Sequence, residues 1–93
     1  MGERKRIGLR EVRSLKPGEQ VWDASVTGFH ARRQRDAVTY VLFYRIGGRQ
    51  RWYTIGRHAA PWTPDQAREE ARRLLGEVAK GTDPSADRKV SRK

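Results

Sequence analysis

Val38–Gly56 reads VTYVLFYRIGGRQRWYTIG, two β-branched and aromatic runs joined by Gly47-Gly48. A two-residue glycine link between such runs is a strong hairpin signal, because the favoured tight turn takes positive φ at its central residues. With that turn Ile46 pairs with Arg49, and the register of the whole ribbon follows. One face then carries Tyr40, Leu42, Tyr44 and Ile46 opposite Ile55, Tyr53, Arg51 and Arg49. The other carries Thr39, Val41, Phe43 and Arg45 opposite Thr54, Trp52 and Gln50. The first face is expected to be core near its base. The second mixes a Phe43–Trp52 pair with Arg45, Gln50 and Thr54, an odd surface to leave in water. A two-stranded ribbon of this kind fits the DNA major groove, where Arg, Gln and Thr side chains can read base edges.

Upstream of the ribbon, Phe29–Gln34 alternates Phe29, Ala31 and Arg33 against His30, Arg32 and Gln34, one packed and one exposed face of a strand. Glu19–Asp23 predicts a further short strand, with Val21 and Asp23 on one face and Gln20 and Trp22 on the other. Leu9, Val12 and Leu15 repeat at helical spacing and predict about two turns of helix, ended by Lys16-Pro17-Gly18. Downstream, Thr63, Pro64 and Gln66 make an N-cap, a first-turn proline and a capping box. Ala67, Ala71, Leu74, Leu75 and Val78 then form a narrow apolar stripe before the Lys80-Gly81 stop. Trp22 and Trp62 are expected to be packing residues, Trp62 at the helix start. The reading is an α+β domain. A small antiparallel three- to four-stranded sheet is packed on one face by a C-terminal helix, with a short N-terminal helix before it. Its expected boundaries are a mobile basic arm over 1–8, the domain over 9–81, and a linker or tail over 82–93.

The formal charge of +10, from 21 basic and 11 acidic residues, exceeds what solubility needs and points to a polyanionic partner. Its distribution says more than its size. Phe29–His58 holds seven Arg against one Asp, whereas Trp62–Lys80 holds four basic and four acidic residues. The excess therefore sits on the strands and termini, and the long helix is a support. Cysteine is absent, which excludes a disulfide framework and the thiolate zinc sites. His30 and His58 have no carboxylate cluster around them in sequence, so no metal and no cofactor is expected. No apolar run approaches the ~18 residues of a membrane span, and no signal-peptide core opens the chain. A cytoplasmic, nucleoid-associated protein of bacterial type is the expectation.

Several stretches resemble the N-terminal arm-type DNA-binding domain of tyrosine recombinases, the integrases of phages and genomic islands. They are Leu15-Lys16-Pro17-Gly18, Trp22-Asp23 followed by Thr27-Gly28-Phe29, Tyr44–Arg51, Thr54-Ile55-Gly56-Arg57, Thr63–Ala71, and the exit Lys80-Gly81-Thr82-Asp83-Pro84. Their order and spacing cover roughly residues 9–84. The resemblance implies a sheet-plus-helix module that binds repeated arm sites on double-stranded DNA with its exposed sheet face in the major groove. It implies a separate catalytic domain in the parent integrase, and other integrase subunits or accessory DNA-bending proteins as further partners. This chain departs from the family's usual pattern at Arg33, His58, Phe43 and Trp52.

The residues expected to contact bases are Arg32, Thr39, Phe43, Arg45, Gln50, Trp52 and Thr54. Those expected to contact phosphates are Arg4, Lys5, Arg6, Arg49, Arg51 and Arg57. No catalytic residue is expected: Tyr40, Tyr44 and Tyr53 lie in a strand pattern with no residue poised in sequence to activate a phenol. Against this stand blander readings. Arg45, Gln50 and Thr54 could be a solvated sheet face, and Phe43–Trp52 a stabilising cross-strand pair. Two other functions compete, a double-stranded RNA-binding module and a protein-interaction domain docking through Phe43 and Trp52.

Overall fold

The computed structural model describes residues 4–59 and 61–86. In chain order the elements are β1 (Arg4–Lys5), α1 (Leu9–Ser14), β2 (Gln20–Asp23), β3 (Phe29–Gln34), β4 (Ala37–Ile46), β5 (Arg49–His58), β6 (Pro61–Trp62) and α2 (Pro64–Ala79). Among the described residues the strands form one sheet in sequence order, β1 through β6. The β2–β5 body is antiparallel, and the two-residue strands β1 and β6 add to its edges in parallel. The expected α+β architecture is therefore present, with more strands than the three or four anticipated.

The β4–β5 hairpin has the expected register over its outer half. Ile46 pairs with Arg49, Arg45 with Gln50, Phe43 with Trp52 and Val41 with Thr54. Gly47 and Gly48 turn the chain with φ of 57° and 78°. Nearer the base the register shifts between Tyr40 and Val41, so that Tyr40 meets Gly56 rather than Ile55, and Thr39 meets Arg57. Ile55 is thus an extra residue in a β-bulge. Bulges of this kind re-aim the side chains that follow them, and here Arg57 comes onto the face that carries Thr39.

Helix α2 covers the opposite face. The core joins Phe29, Ala31, Val38, Tyr40, Leu42, Tyr44 and Ile55 of the strands to Ala67, Ala71 and Leu74 of α2. The helix starts as its sequence dictates, with the Gln66 amide donating to Thr63 Oγ1 (3.2 Å) and Gln66 Oε1 accepting from the Thr63 amide (3.3 Å). Two small alanines in the stripe let the helix lie close to the sheet. In α1 the expected stripe is only partly used: Val12 is buried and Leu15 half-buried, but Leu9 is exposed. Arg33, an awkward residue on a packed face, reaches α1 and donates to the Val12 carbonyl (3.3 Å).

Residues 4–8 do not behave as the basic arm expected of 1–8. Arg4 and Lys5 pair with Trp22 and Asp23, and Ile7 is completely buried in the core. A buried ion pair fixes this segment. Asp23 accepts from the Ile7 amide (2.9 Å), the Val26 amide (2.9 Å), the Ser25 hydroxyl (2.6 Å), and Arg68 Nε (3.2 Å) and Nη2 (3.1 Å). Arg68 also donates to the Ile7 carbonyl and, through Nη1, to Asp65 (2.7 Å). One carboxylate and one guanidinium, both buried, thereby tie the segment at Ile7 to β2 and α2.

At the other end, residues 82–86 are not a plain linker. Tyr44 donates its hydroxyl to Asp83, the Ser85 amide donates to Tyr44 Oη (3.1 Å), and Arg51 pairs with Asp83 (3.2 Å). The rest of the anticipated tail, like residues 1–3, lies outside the described residues. Among the described residues no helix is long and apolar enough to cross a membrane.

Candidate nucleic-acid interface

Side chains on a strand alternate between faces, and residues paired across two strands share a face. The face away from α2 therefore carries Gln20 and Trp22 of β2, His30, Arg32 and Gln34 of β3, Thr39, Val41, Phe43 and Arg45 of β4, and Gln50, Trp52, Thr54 and Arg57 of β5. None of these is acidic. The strands contain a single carboxylate, Asp23, and it is turned inward to Arg68.

Six residues separate Thr39 from Arg45 along β4, about 20 Å at ~3.3 Å per residue. The arginines of this open face fall at its two ends, while the exposed Thr54 lies between them opposite Val41. Arg32, Thr39 and Arg57 are cross-strand neighbours at the base, and Arg45 pairs with Gln50 at the tip. Arg32, Arg45, Gln50, Thr54 and Arg57 are exposed; Thr39 and Phe43 are half-buried. Arg32, Arg45, Arg49 and Arg57 have no carboxylate partner among the described residues. On α2 the pattern is reversed, for Arg68, Arg72 and Arg73, and Lys80 at the C-cap, each pair with an acidic residue of the helix. The charge balance of the helix and the excess on the strands thus become two physically different surfaces.

Between the two polar ends lies an aromatic layer. Trp22 and His30 are 4.1 Å apart between ring centroids, His30 meets Trp52 edge-on at 6.0 Å, and Phe43 packs on Trp52 at 4.4 Å. Val41, the cross-strand neighbour of His30 on this face, is buried although it faces away from the main core. His30 is buried, and its Nδ1–H donates to the Gly28 carbonyl (3.1 Å). Burial pushes its pKa below the usual imidazole value; the Gly28 hydrogen bond opposes this and the nearby Arg32 charge adds to it. His30 is thus a neutral member of an apolar layer. Trp52 is 55 % exposed and forms the top of that layer.

The other expected contacts sort by face. Arg4, Lys5 and Arg6 are exposed; Arg4 lies beside Trp22 at the sheet edge, and Lys5 opposite Asp23 points to the other side. Arg49 is exposed at the hairpin tip on the helix side. Arg51, expected to meet phosphate, is instead engaged by Asp83 on that same side. Arg57, placed outside the ribbon by sequence, joins the open face because of the bulge. His30 and Trp22 were not among the expected site residues. Alternation in β3 put His30 on the exposed face, and Trp22 was expected only to pack; the pairing of Trp22 with His30 brings them together.

Tyr40 does have a neighbour that the sequence concealed: its hydroxyl shares a hydrogen bond with His58 Nδ1 (2.6 Å). Burial raises the phenol pKa, against a smaller opposing pull from Arg68, and burial together with Arg13 and Arg33 lowers that of His58. A completely buried, firmly protonated phenol is a structural group. Among the described residues no His, Asp or Glu cluster could hold a metal ion.

A face of unpaired arginines with amide and hydroxyl side chains beside them, and no carboxylate, is built for a polyanion. The family model of the Arm DNA-binding domain matches residues 7–91. The chain belongs to the Arm DNA-binding domain family. That establishes DNA binding as its function in general terms, and the suspected resemblance to the arm-type domain is correct. The match begins at Ile7, the residue that the structure buries at the start of the domain. Comparison with curated proteins found no match, and neither did comparison with solved structures.

Proposed function

We propose that this arm DNA-binding domain reads short repeated sites on double-stranded DNA for a tyrosine integrase, with the open sheet face in the major groove. The observation that carries the reading is the contrast between the two sides of the molecule. Every basic residue within α2 has an acidic neighbour there, while the open face offers Arg32, Arg45 and Arg57 with no strand carboxylate to neutralise them. Arg45 and Gln50, adjacent at the tip, have the donors and acceptors that guanine and adenine edges require. Arg32, Thr39, Thr54 and Arg57 contact bases or the flanking backbone from the base of the ribbon. Arg49, outside the open face, and Arg4, Lys5 and Arg6 at the sheet edge contact phosphates, which position the protein without carrying sequence information.

This division of labour has a test. Arg45→Ala should weaken binding to the preferred duplex by about 1–3 kcal/mol and relax selectivity at one base pair. Arg49→Ala should weaken all duplexes alike and reduce the slope of log K against log[salt] by roughly 0.9. Fluorescence anisotropy at several salt concentrations separates the two, and identical behaviour of both variants would overturn the assignment. Arg51 is excluded from this comparison, since its replacement would also break the Asp83 contact.

One observation favours a second reading. Trp52 is a large exposed aromatic, and aromatics are enriched at protein interfaces. A protein-docking role for Phe43 and Trp52 predicts a main binding event nearly indifferent to salt.

A further inference from the structure

The open face is neither a uniform cationic surface nor a uniform polar one. Its middle is an apolar layer, Trp22–His30–Trp52–Phe43 beside a buried Val41, bracketed by arginines about 20 Å apart at ~3.3 Å per strand residue. His30 cannot serve as an inner cation, because it is enclosed by Trp22 and Trp52 and spends its Nδ1–H on Gly28. The exposed part of the layer is Trp52, immediately next to the Arg45–Gln50 pair and on the same face. Arginine pairs bidentately with guanine in the major groove. The only apolar group that the groove edge presents is the 5-methyl of thymine.

We infer that Trp52, supported by Phe43 and His30, reads a thymine methyl group, and that this thymine lies beside a guanine read by Arg45. The inference rests on the duplex-binding reading above and makes it specific. Neighbouring rows of one strand face are two residues, ~6.7 Å, apart. Base pairs stack every ~3.4 Å. The thymine therefore falls about two base-pair steps from the guanine when the ribbon follows the groove.

The experiment uses this chain and the duplex it enriches most strongly from a random-sequence duplex library. Each thymine of that duplex is replaced in turn by uracil, which keeps every hydrogen-bonding edge and removes only the methyl. At one or two thymines, about two steps from a guanine, uracil should weaken binding roughly fourfold, the equivalent of one buried methyl-sized group. Trp52→Thr, a β-branched replacement that suits the strand, should bind thymine and uracil duplexes equally. Trp52→Phe should keep part of the difference. A wild-type protein indifferent to every uracil, or an enriched site with no thymine near a guanine, overturns the thymine assignment while leaving duplex recognition standing. So does a Trp52→Thr variant that still discriminates. Enrichment of no duplex, or tighter binding of the same sequences as single strands, overturns the duplex reading and this inference with it.

Discussion

Asp23→Asn should lower the stability of this domain by on the order of 3–5 kcal/mol, the usual consequence of leaving a buried charge without its partner. A domain of this length has roughly 5–14 kcal/mol to lose. The substitution changes almost no volume. It removes the charge that faces Arg68, and it puts an amide, half of which is a donor, among the Ile7, Val26 and Arg68 donors. The remaining partner of the guanidinium, Asp65, has a side chain 82 % exposed and cannot replace a buried carboxylate. The same site gives a pH dependence. Burial works to raise the Asp23 pKa, but the Ile7 amide, the Ser25 hydroxyl, Arg68 and the Val26 amide outweigh it and hold the pKa at about 2, below the ordinary 3.8. A depressed carboxyl pKa stabilises the fold fully above the unfolded-state value and progressively less as pH falls through the folded-state value. About 2 kcal/mol should therefore vanish between roughly pH 4 and pH 2. Urea melts across that range measure both effects: Asp23→Asn should be less stable at neutral pH and should lack this part of the acid sensitivity. Equal midpoints for the two proteins at neutral pH would contradict the role given to the pair.

Gly28→Ala should cost at least about 3 kcal/mol, for two reasons that add. Gly28 has φ of 88°, and holding a non-glycine residue in a sparsely populated backbone region costs of order 1–3 kcal/mol. A Cβ there would also stand 2.0 Å from the Phe43 carbonyl oxygen, which is backbone and cannot swing aside. The Phe43 amide donates to the Gly28 carbonyl (2.9 Å), so the two chains are held at this separation. The displaced strand carries Phe43 and, through it, Trp52, and DNA affinity of the molecules that still fold should fall as well. Gly47→Ala is the control, because Gly47 also has positive φ but nothing lies within 4 Å of its Cβ position. Its loss should be only ~1–2 kcal/mol. Comparable denaturation midpoints for the two variants would show that the close approach at Phe43 does not matter.

The outer hairpin was legible because a two-residue turn pins register, and strict alternation then assigns every side chain to a face. That logic alone puts Arg45, Gln50, Phe43 and Trp52 on one face, and the pairing agrees. It failed at Ile55, because a bulge is decided by how two strands twist and pack, and that bulge brings Arg57 onto the open face. The Asp23–Arg68 pair was hidden for a different reason. It joins residues 45 apart in sequence, and Arg68 sits beside the apolar stripe of a helix whose overall charge is balanced. Ile7 was hidden in a basic segment, since one apolar residue has no period. His30 was assigned to the correct face, but which residues flank it depends on how β2 lies against β3, which neither strand's own pattern specifies.

The central claim, that the open sheet face recognises a particular duplex sequence, is tested most directly by anisotropy titration at two salt concentrations. The probes are the best enriched duplex, a shuffled duplex of the same composition, and a double-stranded RNA of that sequence. The expected result is a preference of about tenfold or more for the enriched DNA duplex, retained at the higher salt while all affinities fall, because base contacts and phosphate contacts are separate contributions. Equal, salt-labile binding to all three would contradict it and reduce the arginines of the open face to a non-specific tether.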